Sequence, residues 1–438
     1  MAAVDRVGPF QHLYVAFSGG VDSHVLLHLC AGVADWEGRV TAVYVHHGLQ
    51  AVADDWSVHC AQVAQQCKVA FRECKVNAQA QAGESPEEAA RNARYHALAA
   101  VLGTGDIMLF AQHRDDQLET VLLQLFRGAG LQGLAGMPEI AALGAGKMLR
   151  PLLAYTRAQI LDYAGQQHLQ WVEDPSNQED AFDRNFLRLQ ILPLLQTRWP
   201  SLASTVSRSA RLCAQAQEAL QQHALKHLPL LTVPQLHMLD LTVLQGFALY
   251  EQQQLLRAWC AELSLRMPSE TWLNHLMGQV IHAKAARDPI LRYGSYQFRR
   301  YRQHLYCLPL QLTEGVPSNL SLHWPKEQQH LHVHAYSQLS LCPTSQGIAR
   351  EQWQKAVVTV TLRQGGEKIS LPGRSGRHCL KKLCQEAGIP PWQRAALPLI
   401  YMDGILVAVA DLWLSSEVFQ PNRPDCIRFI WQYGLGDA

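Results

Sequence analysis

Short apolar runs alternate with longer amphipathic stretches through the first third of this 438-residue chain. Four runs predict buried strands, because each is apolar and is bounded by a turn or a helical stretch; they cover residues 12–17, 40–46, 69–76 and 107–111. The helix before the fourth run opens with a cap, an N1 proline and an N3 glutamate: Ser85, Pro86 and Glu88. This alternation predicts an α/β fold with a doubly wound parallel sheet, whose ligand binds at the carboxyl ends of the strands.

The pattern changes beyond residue 200. A helical stretch precedes a mainly helical region that ends in a predicted hairpin at 296–302. The next segment is polar, rich in histidine and poorly patterned, whereas the last one alternates short strands with one helix. We therefore predict a catalytic domain, a small helical domain, a linker and a small α+β C-terminal domain, over residues 1–215, 216–325, 326–350 and 351–438.

Composition narrows the class of protein without naming an activity. No apolar run is long enough to span a membrane, and the first ten residues lack the basic and apolar regions of an export signal. The eleven cysteines include no C-x-x-C pair, which indicates reduced thiols and neither zinc nor an iron–sulfur cluster. We expect a cytoplasmic protein with no membrane contact. Because the net charge is +1, any surface for nucleic acid must be local.

The most informative motif follows the first predicted strand: Ser18-Gly19-Gly20-Val21-Asp22-Ser23. A strand, a glycine turn and a helix start place free backbone N–H groups and a positive dipole end at one point, which suits phosphate. The two serines add hydroxyl groups, and Asp22 is a candidate Mg²⁺ ligand. The spacing is not that of a Walker A loop, which needs a lysine after its last glycine. The run resembles the PP-loop of ATP pyrophosphatases, so we expect all six residues to contact ATP.

Polar residues also follow two other predicted strands. His46 and His47 end the second strand, and since no third ligand stands near them we predict contact with the adenosine of ATP rather than a metal site. His113, a further candidate for ATP binding, precedes three carboxylates at helical spacing: Asp115, Asp116 and Glu119. Such carboxylates can cap a helix, coordinate Mg²⁺, or hold an ammonium group and accept its proton. The spacing leaves these roles open.

Basic residues recur on predicted helix faces and in loops. Arg91 and Arg94 lie three residues apart, and Arg184 and Arg188 lie four apart, as pairs on one helix face do. Each pair is a candidate for contact with phosphate or RNA backbone. The alternative for Arg91 and Arg94 is a solvated face, and that for Arg184 and Arg188 is a helix-face pair with Asp180 or Asp183.

Basic and aromatic residues interleave in the predicted hairpin at Arg299 and Arg300, a composition typical of contacts with exposed bases. A solvated edge strand would look similar. The C-terminal domain carries four more candidates for RNA contact in a loop and a helix start: Arg374, Arg377, Lys381 and Lys382. A basic loop that only aids solubility is the alternative.

Taken in order, the motifs resemble one family. Beside the PP-loop they are H-H-G-L from His46, R-x-x-R-Y from Arg91, H-x-D-D-Q-x-E-T from His113, R-G-x-G-x-x-G-L from Arg127, L-R-P-L-L-x-x-T-R from Leu149, W-V-E-D-P-S-N from Trp171 and D-R-N-F-L-R from Asp183. They are similar to those of the tRNA(Ile)-lysidine synthetases, within the PP-loop ATP pyrophosphatase superfamily. The resemblance covers about the first 200 residues closely and the remainder more loosely. The tRNA-thiolating relatives carry cysteine pairs that this chain lacks.

The resemblance implies a ligase that uses ATP and Mg²⁺ to join free L-lysine to the wobble cytidine of tRNA(Ile) with the anticodon CAU. The cytidine O2 would attack the α-phosphorus of ATP and release pyrophosphate; the ε-amine of lysine would then attack C2 and expel AMP. Lysidine pairs with A, so the tRNA would decode AUA and accept isoleucine. The implied catalytic residues are Asp22, Asp116 and Glu119.

Two other classes stay open on the residues alone. One is a PP-loop synthetase that acts on a small molecule, although the basic C-terminal domain has no evident use there. The other is a nucleotide-binding scaffold, for which the carboxylate cluster would have to be incidental. The oligomeric state, a monomer or a homodimer, is equally open because no long heptad repeat is present.

Overall fold

The structure is a computed structural model that describes residues 2–46, 53–77, 86–173, 182–233, 237–283, 289–317 and 319–434. Parts of three predicted motifs lie outside these ranges: His47 to Gln50, Ser85, and Asp174 to Asn177. The chain forms two compact units, Met1–Gln222 and His223–Ala438. No helix within the described ranges is both long and apolar enough to cross a membrane.

The first unit is built on a six-stranded sheet. Its strands are β1 Leu13–Ala16, β2 Val40–His46, β3 Ala70–Lys75, β4 Ile107–Leu109, β5 Ile140–Leu143 and β6 Gly146–Leu149. Their order is β3-β2-β1-β4-β6-β5, and β1 pairs in parallel with both β2 and β4. At the edge, β5 pairs antiparallel with β6. The predicted doubly wound sheet is therefore confirmed, and β2 has its predicted bounds.

Helices connect these strands and extend beyond them. They are α1 Ala2–Asp5, α2 Val21–Ala31, α3 Ala53–Gln66, α4 Pro86–Val101, α5 Arg114–Phe126, α6 Leu131–Leu134, α7 Arg157–Gln166, α8 Asp183–Phe186, α9 Leu192–Arg198 and α10 Leu202–His227. A 3-10 turn covers Ala34–Trp36 and a π-helical segment covers Leu187–Ile191. Because α2 begins after β1 and α5 begins after β4, both helix starts lie at the carboxyl edge of neighbouring strands.

Both faces of the sheet are buried, which is why its central strands read as continuous apolar runs. Leu13 and Val15 of β1 belong to a core that includes Leu26 of α2. Tyr14 and Ala16, which point the other way, pack against a second core. Because β1 is packed on both faces, the position of the loop that follows it is fixed relative to the sheet.

The second unit begins with a five-stranded antiparallel sheet packed against helices. Its strands are β7 Thr232–Val233, β8 Met238–Asp240, β9 Ile290–Tyr293, β10 Tyr296–Tyr301 and β11 His304–Pro309, in the order β7-β8-β11-β10-β9. Its helices are α11 Leu241–Leu244, α12 Leu249–Glu262, α13 Glu270–His275 and α14 Leu310–Glu314, with a 3-10 turn at Leu228–Leu230 and a π-helical segment at Leu276–Ile281. Trp259 and Phe298 meet edge to face in its core, with centroids 5.8 Å apart.

The rest of this unit is α+β. Its strands are β12 Ser321–His323, β13 His330–His334, β14 Ser337–Thr344, β15 Gly347–Ala349, β16 Val358–Leu362, β17 Lys368–Ser370, β18 Arg377–Cys379, β19 Pro398–Met402, β20 Ile405–Val409, β21 Trp413–Leu414, β22 Phe419–Gln420 and β23 Cys426–Tyr433. They form sheets ordered β12-β16-β19-β20-β21 and β13-β14-β23-β15-β22, and β17 pairs with β18. The helices are α15 Arg350–Lys355, α16 Leu380–Glu386 and α17 Pro391–Ala396.

Residues 326–350, which the sequence pattern assigned to a linker, form β13, β14 and β15 in this structure. Leu331 and Val333 are buried while His330 and His332 are exposed, so β13 has the alternation of a half-buried strand. Histidine at the outward positions made this alternation read as a polar segment. The partner of β14 is β23, at the far end of the chain, and local sequence carries no signal for such a pairing.

Candidate active site

The PP-loop, residues 18–23, lies between the end of β1 and the start of α2. Gly19 has a φ of +82°, in the left-handed region that glycine adopts without strain, and a side chain there would meet Cys60 Sγ at 3.1 Å. Ser23 Oγ accepts a hydrogen bond from the Ser18 N–H at 3.2 Å and donates one to the Gly20 carbonyl at 2.9 Å. Gly20 is the N-cap of α2 and has no side chain to cap it, so the first-turn amides face the loop. This is the backbone arrangement that a phosphate needs.

His113 reaches the same edge of the sheet, because β4 is the parallel neighbour of β1. It is the N-cap of α5 and is 1% exposed. Its N–H donates to Asp116 Oδ2 at 3.0 Å, and its Nδ1 accepts from the Asp116 N–H at 3.4 Å. Since Nδ1 accepts, Nε2 carries the proton of the neutral ring; Nε2 lies 3.4 Å from Asp116 Oδ2 and 3.7 Å from Asp22 Oδ2. His113 therefore links the PP-loop aspartate to the carboxylate cluster.

The three carboxylates of the cluster have different partners. Asp115 Oδ2 accepts a hydrogen bond from the Arg157 N–H at 2.8 Å, so this side chain anchors the start of α7. Asp116 uses Oδ2 in the α5 cap, and its Oδ1 accepts a hydrogen bond from Arg188 Nη2 at 3.3 Å. The side chain of Asp116 is 16% exposed, whereas that of Glu119 is 1% exposed.

Glu119 is the buried centre of a charge network. Arg188 donates to both of its carboxylate oxygens, from Nε to Oε1 at 2.7 Å and from Nη2 to Oε2 at 2.9 Å. Arg184 Nε lies 3.2 Å from Oε2, and Arg184 Nη2 donates to Thr120 Oγ1 at 2.8 Å. Two-point contact with a guanidinium fixes the carboxylate in position as well as in charge. Thr120 was not among the predicted site residues, although it stands in the same motif.

Burial also shifts the pKa values of two acids here. It raises the pKa of Asp22, and the charge of Asp116 adds to that shift, whereas the nearby imidazole and guanidinium groups oppose it. Burial likewise raises the pKa of Glu119, which its bonds to Arg188 oppose. For Arg188, burial acts to lower the pKa, but the hydrogen bond and charge of Glu119 outweigh burial and raise it.

Asp22 has the feature expected of a cation ligand. Its Oδ1 is buried, and no group in the described ranges donates a hydrogen bond to it. The described ranges hold no cluster of three or more protein side chains that could hold a metal. Mg²⁺ does not need one, because it is commonly held by one or two carboxylates and by the phosphates of its nucleotide. The residues present therefore fit Mg²⁺ bound together with a triphosphate.

The other predicted ligands lie around this edge. His46 is the last residue of β2, and its Nε2 is 3.2 Å from Asp54 Oδ1. Arg94 on α4 has a buried Nε without a hydrogen-bond partner among the described residues. Burial lowers its pKa, and the charges of Arg91 and Arg184 lower it further. Arg91 is exposed, 5.4 Å from the centre of the Tyr95 ring.

Comparison with known proteins agrees with this geometry. Residues 4–195 match the family model of the PP-loop domain, residues 239–306 that of the TilS substrate binding domain, and residues 358–431 that of the TilS substrate C-terminal domain. The tRNA(Ile)-lysidine synthase of Methylococcus capsulatus is 42% identical over 92% of each chain. That of Serratia proteamaculans is 40% identical over 98% of this chain and 97% of its own, and that of Escherichia coli O157:H7 is 37% identical over 96% of each. The chain belongs to the tRNA(Ile)-lysidine synthase family.

The turn that follows α6, directly after the R-G-x-G-x-x-G-L motif, is held by α5. Gln117 accepts a hydrogen bond from the Met137 N–H at 2.7 Å and donates one to the Met137 carbonyl at 3.0 Å. Gly136 has a φ of +65°, and a side chain there would meet Gln117 at 2.8 Å. The glycine is therefore needed for close approach. Gln117 was not among the predicted site residues, since its partner lies twenty positions further along the chain.

The basic residues of the second unit fall into two groups. Those of the C-terminal loop and helix are exposed: Arg374 pairs with Glu386 at 3.3 Å, Lys382 lies 4.0 Å from the same carboxylate, and Lys381 points to solvent. Arg377 donates to the Lys368 carbonyl at 3.2 Å.

The hairpin arginines are only partly exposed and contact backbone carbonyls and an aromatic ring. Arg300 donates from Nη1 to the carbonyls of Ile281 at 2.5 Å and Ala283 at 3.0 Å. The guanidinium of Arg299 lies over the ring of Trp392, 4.8 Å from its centre.

Proposed function

We propose that this family member ligates free L-lysine to C2 of the wobble cytidine of tRNA(Ile) with the anticodon CAU, at the expense of ATP. The names of the relatives supply the substrate and product. The observation that carries the proposal is the placement of a PP-loop directly beside a carboxylate–histidine cluster, at the carboxyl ends of two neighbouring parallel strands. One group of residues suits a triphosphate, and the other suits an ammonium group.

In the first step the cytidine O2 attacks the α-phosphorus of ATP. A phosphorus–oxygen bond forms to the base, the bond to the β-phosphate bridging oxygen breaks, and pyrophosphate leaves. The PP-loop amides and the start of α2 stabilise the charge on the leaving group. Asp22 would hold Mg²⁺, which supplies further neutralisation of the phosphates when it is bound. His46 and His113 line the same edge and would contact the nucleotide.

In the second step the ε-nitrogen of lysine attacks C2, the C2–O2 bond breaks and AMP leaves. The incoming amine must lose a proton, so a carboxylate close to its ammonium form is required. Asp116 suits this role because its side chain is partly exposed and its Oδ1 is held by a longer bond, 3.3 Å from Arg188 Nη2. Asp115 is engaged with the α7 backbone, and Glu119 is enclosed by two guanidinium groups.

Glu119 would act through Arg188. The pair fixes Arg188 Nη2 at 3.3 Å from Asp116 Oδ1, which holds that carboxylate towards the ligand. We therefore propose that Asp22 and Asp116 touch the reactants. Glu119 is a positioning residue, which acts on Asp116 through Arg188.

Arginines on two helices would bind the anionic partners. A buried Nε with no hydrogen-bond partner among the described residues, such as that of Arg94, is costly unless an anion completes its contacts. Arg91, Arg94 and Arg184 would contact phosphate groups of ATP or of the RNA. In the second unit, the exposed group at Arg374, Arg377, Lys381 and Lys382 would contact tRNA backbone.

The direct test is incorporation of labelled lysine. The protein is incubated with Mg²⁺-ATP and lysine, with tRNA(Ile) transcript, with a transcript in which C34 is replaced by U, or without RNA. We expect label in the RNA and release of AMP and pyrophosphate only with the native transcript. Equal AMP release without RNA would indicate a small-molecule synthetase instead.

A second experiment separates the roles of the carboxylates. Asp116→Asn should slow lysine transfer more than adenylation, so that adenylated tRNA accumulates and is chased slowly by added lysine. Glu119→Gln should slow both steps, because Arg188 is no longer held in position. Asp115→Asn is the matched control and should affect stability more than either step. Equal slowing of both steps in Asp116→Asn would contradict the assignment of the base.

A further inference from the structure

The hairpin β10–β11 meets the C-terminal helices in one cluster of aromatic and arginine side chains, which we call the joint. Its members on the hairpin are Arg299, Tyr301, Arg302 and Tyr306; its members on the C-terminal side are Gln385, Trp392 and Arg394. The hairpin belongs to the part that matches the substrate binding domain model, and the other side to the part that matches the C-terminal domain model. The joint therefore connects two modules.

Trp392 is the centre of the joint. The residue is 6% exposed, and Arg299 covers its ring. Tyr301 and Tyr306 meet it edge to face, with centroids at 6.2 Å and 5.1 Å. Aromatic pairs of this geometry, and a guanidinium over an indole, are attractive beyond the area that they bury. The stack has a defined orientation and so restrains the angle between the two modules.

Two hydrogen bonds cross the joint beside this stack. Arg394 Nη2 donates to Tyr301 Oη at 3.0 Å, and Arg302 Nη2 donates to the Gln385 carbonyl at 2.6 Å. Gly388 leaves room for this second contact, because a side chain there would meet Arg302 Nη1 at 2.9 Å.

A second set of contacts, which we call the second seam, lies between α14, which follows the hairpin, and the segments at β14 and β23. Tyr433 donates from its hydroxyl to the Leu312 carbonyl at 2.8 Å, and Tyr336 donates to Gln311 Oε1 at 3.3 Å. Burial raises the pKa of Tyr433 to about 12, so it remains a donor over the working range of pH. Together, the joint and the second seam resist hinge motion. Domains that are joined by a single chain segment move relative to one another by default.

We propose that the joint is a positioning device that holds the exposed basic group, Arg374, Arg377, Lys381 and Lys382, at one fixed distance from the part that matches the substrate binding domain model. The inference rests on the proposed function, since it takes tRNA as the partner. The helix α16 connects the two features: Gln385 belongs to the joint, while Lys381 and Lys382 of the same helix are exposed candidates for RNA contact. Any movement at the joint therefore displaces these lysines.

The part that matches the substrate binding domain model and the basic group, held on one rigid body, would bind a long, stiff RNA at a high effective concentration, which loosening of the body lowers. Trp392, Tyr301 and Arg394 would thus raise tRNA affinity without touching RNA. An anticodon stem-loop, which is too short to reach the basic group as well, should gain nothing from the joint.

The test compares full-length tRNA(Ile) with its anticodon stem-loop. Dissociation constants, KM and kcat are measured for Trp392→Ala, Trp392→Phe and Arg302→Ala. Arg350→Ala is the matched control, because it removes an exposed arginine whose bond, to Asp425 at 2.9 Å, does not cross the joint. Thermal unfolding is recorded for each variant, and Arg302 is exposed, so its replacement leaves the fold intact even if Trp392→Ala does not fold.

We expect Trp392→Ala and Arg302→Ala to raise the dissociation constant and KM of full-length tRNA, by about tenfold or more for Trp392→Ala. Their stem-loop affinity and their kcat at saturating tRNA should match the parent protein, and Trp392→Phe should recover most of the affinity for full-length tRNA. The proposal is overturned if folded joint variants bind full-length tRNA as tightly as the parent, or lose affinity for both RNAs in equal proportion. If the parent protein binds neither RNA, the proposed function fails first.

Discussion

Arginines in two regions of this molecule have opposite kinds of partner. In the first unit, Arg184 and Arg188 contact the buried carboxylate of Glu119, beside the PP-loop edge. In the second unit, Arg299 covers an indole ring and Arg300 bonds to backbone carbonyls. Both groups look alike in sequence, as basic residues at helix or strand spacing. The role of an arginine is therefore decided by the tertiary partner that it meets.

This difference implies two classes of substitution. Changes in the carboxylate–arginine region should alter the rate of the chemical steps while tRNA affinity persists. Changes in the second unit should alter tRNA affinity while the rate at saturating tRNA persists. The comparison is sharpest where one variant from each region is measured in the same assay.

The largest effect is expected for Asp22→Ala. Its carboxylate is assigned to Mg²⁺ and the phosphates, so adenylation should fall by about 10²- to 10³-fold or more, as when a principal electrostatic stabiliser is removed. tRNA affinity should be nearly unchanged. Pyrophosphate release and filter binding of tRNA measure the two quantities. Pyrophosphate release near the parent rate would show that the PP-loop has been assigned wrongly.

The next largest effect is on stability, and it compares the two regions directly. Arg188→Ala leaves Glu119 buried without its two-point partner, which should lower the free energy of unfolding by about 3–5 kcal/mol. Arg300→Ala leaves only backbone carbonyls without a donor, and should lower it by about 1–3 kcal/mol. Denaturant titration measures both.

The pH dependence provides a check on the Arg188 result. Without Arg188, the pKa of Glu119 should rise further above its unfolded value, because the hydrogen bonds and charge of Arg188 no longer oppose the effect of burial and the charge of Arg184 alone opposes it less. The folded state then binds a proton that the unfolded state releases, so the free energy of unfolding should fall as pH rises through this interval. Adding Glu119→Gln to Arg188→Ala should restore part of the stability and remove that pH dependence. No restoration would mean that the destabilisation does not come from the buried charge.

Local signals in the sequence were sufficient for four of the six strands in the first unit and for the edge that carries the site, but not for β5 and β6. The apolar runs predicted β1 to β4, and glycine and serine positions predicted the loop after β1, because these features depend on neighbours within a few residues. The same reasoning placed Asp22 and Asp116 at strand ends, and the structure shows that the two strands are neighbours. The partition of roles among Asp115, Asp116 and Glu119 was not predictable, because it depends on Arg157 and Arg188, which are 42 and 69 to 72 positions away.

The strand pairing of the second unit was harder to predict from local signals. Its pairings join distant segments, as β14 does with β23, and its histidine-rich strand β13 gave a polar pattern. The joint was missed for the same reason: Tyr301 and Arg394 are 93 positions apart. A hairpin rich in arginine and tyrosine indicates a contact surface, but its composition does not distinguish an RNA partner from another part of the same chain.

A smaller effect is expected for the exposed basic loop. The variant with alanine at Arg374, Arg377, Lys381 and Lys382 should bind tRNA more weakly. Each lysine or arginine that no longer neutralises a phosphate should flatten the slope of log affinity against log salt by up to about one unit. ATP binding should persist. An unchanged slope would identify the loop as a solvated surface, and other residues would then have to bind the tRNA.

The smallest effect is a shift in the acid limb of the pH profile. Burial raises the pKa of Asp22 in the free protein, so less of it is ionised at an acidic pH than for an exposed aspartate. The ionised form of Asp22 is the one that binds a cation and its nucleotide. Because kcat/KM for ATP reports the free enzyme, it should rise with pH through a midpoint above the pKa of an ordinary aspartate. The charge of Arg157 opposes the shift, so Arg157→Gln should move the midpoint higher, whereas the control Arg198→Gln should not. If the midpoint of the acid limb in the parent protein lies at or below the pKa of an ordinary aspartate, the result would contradict the burial of an ionisable Asp22.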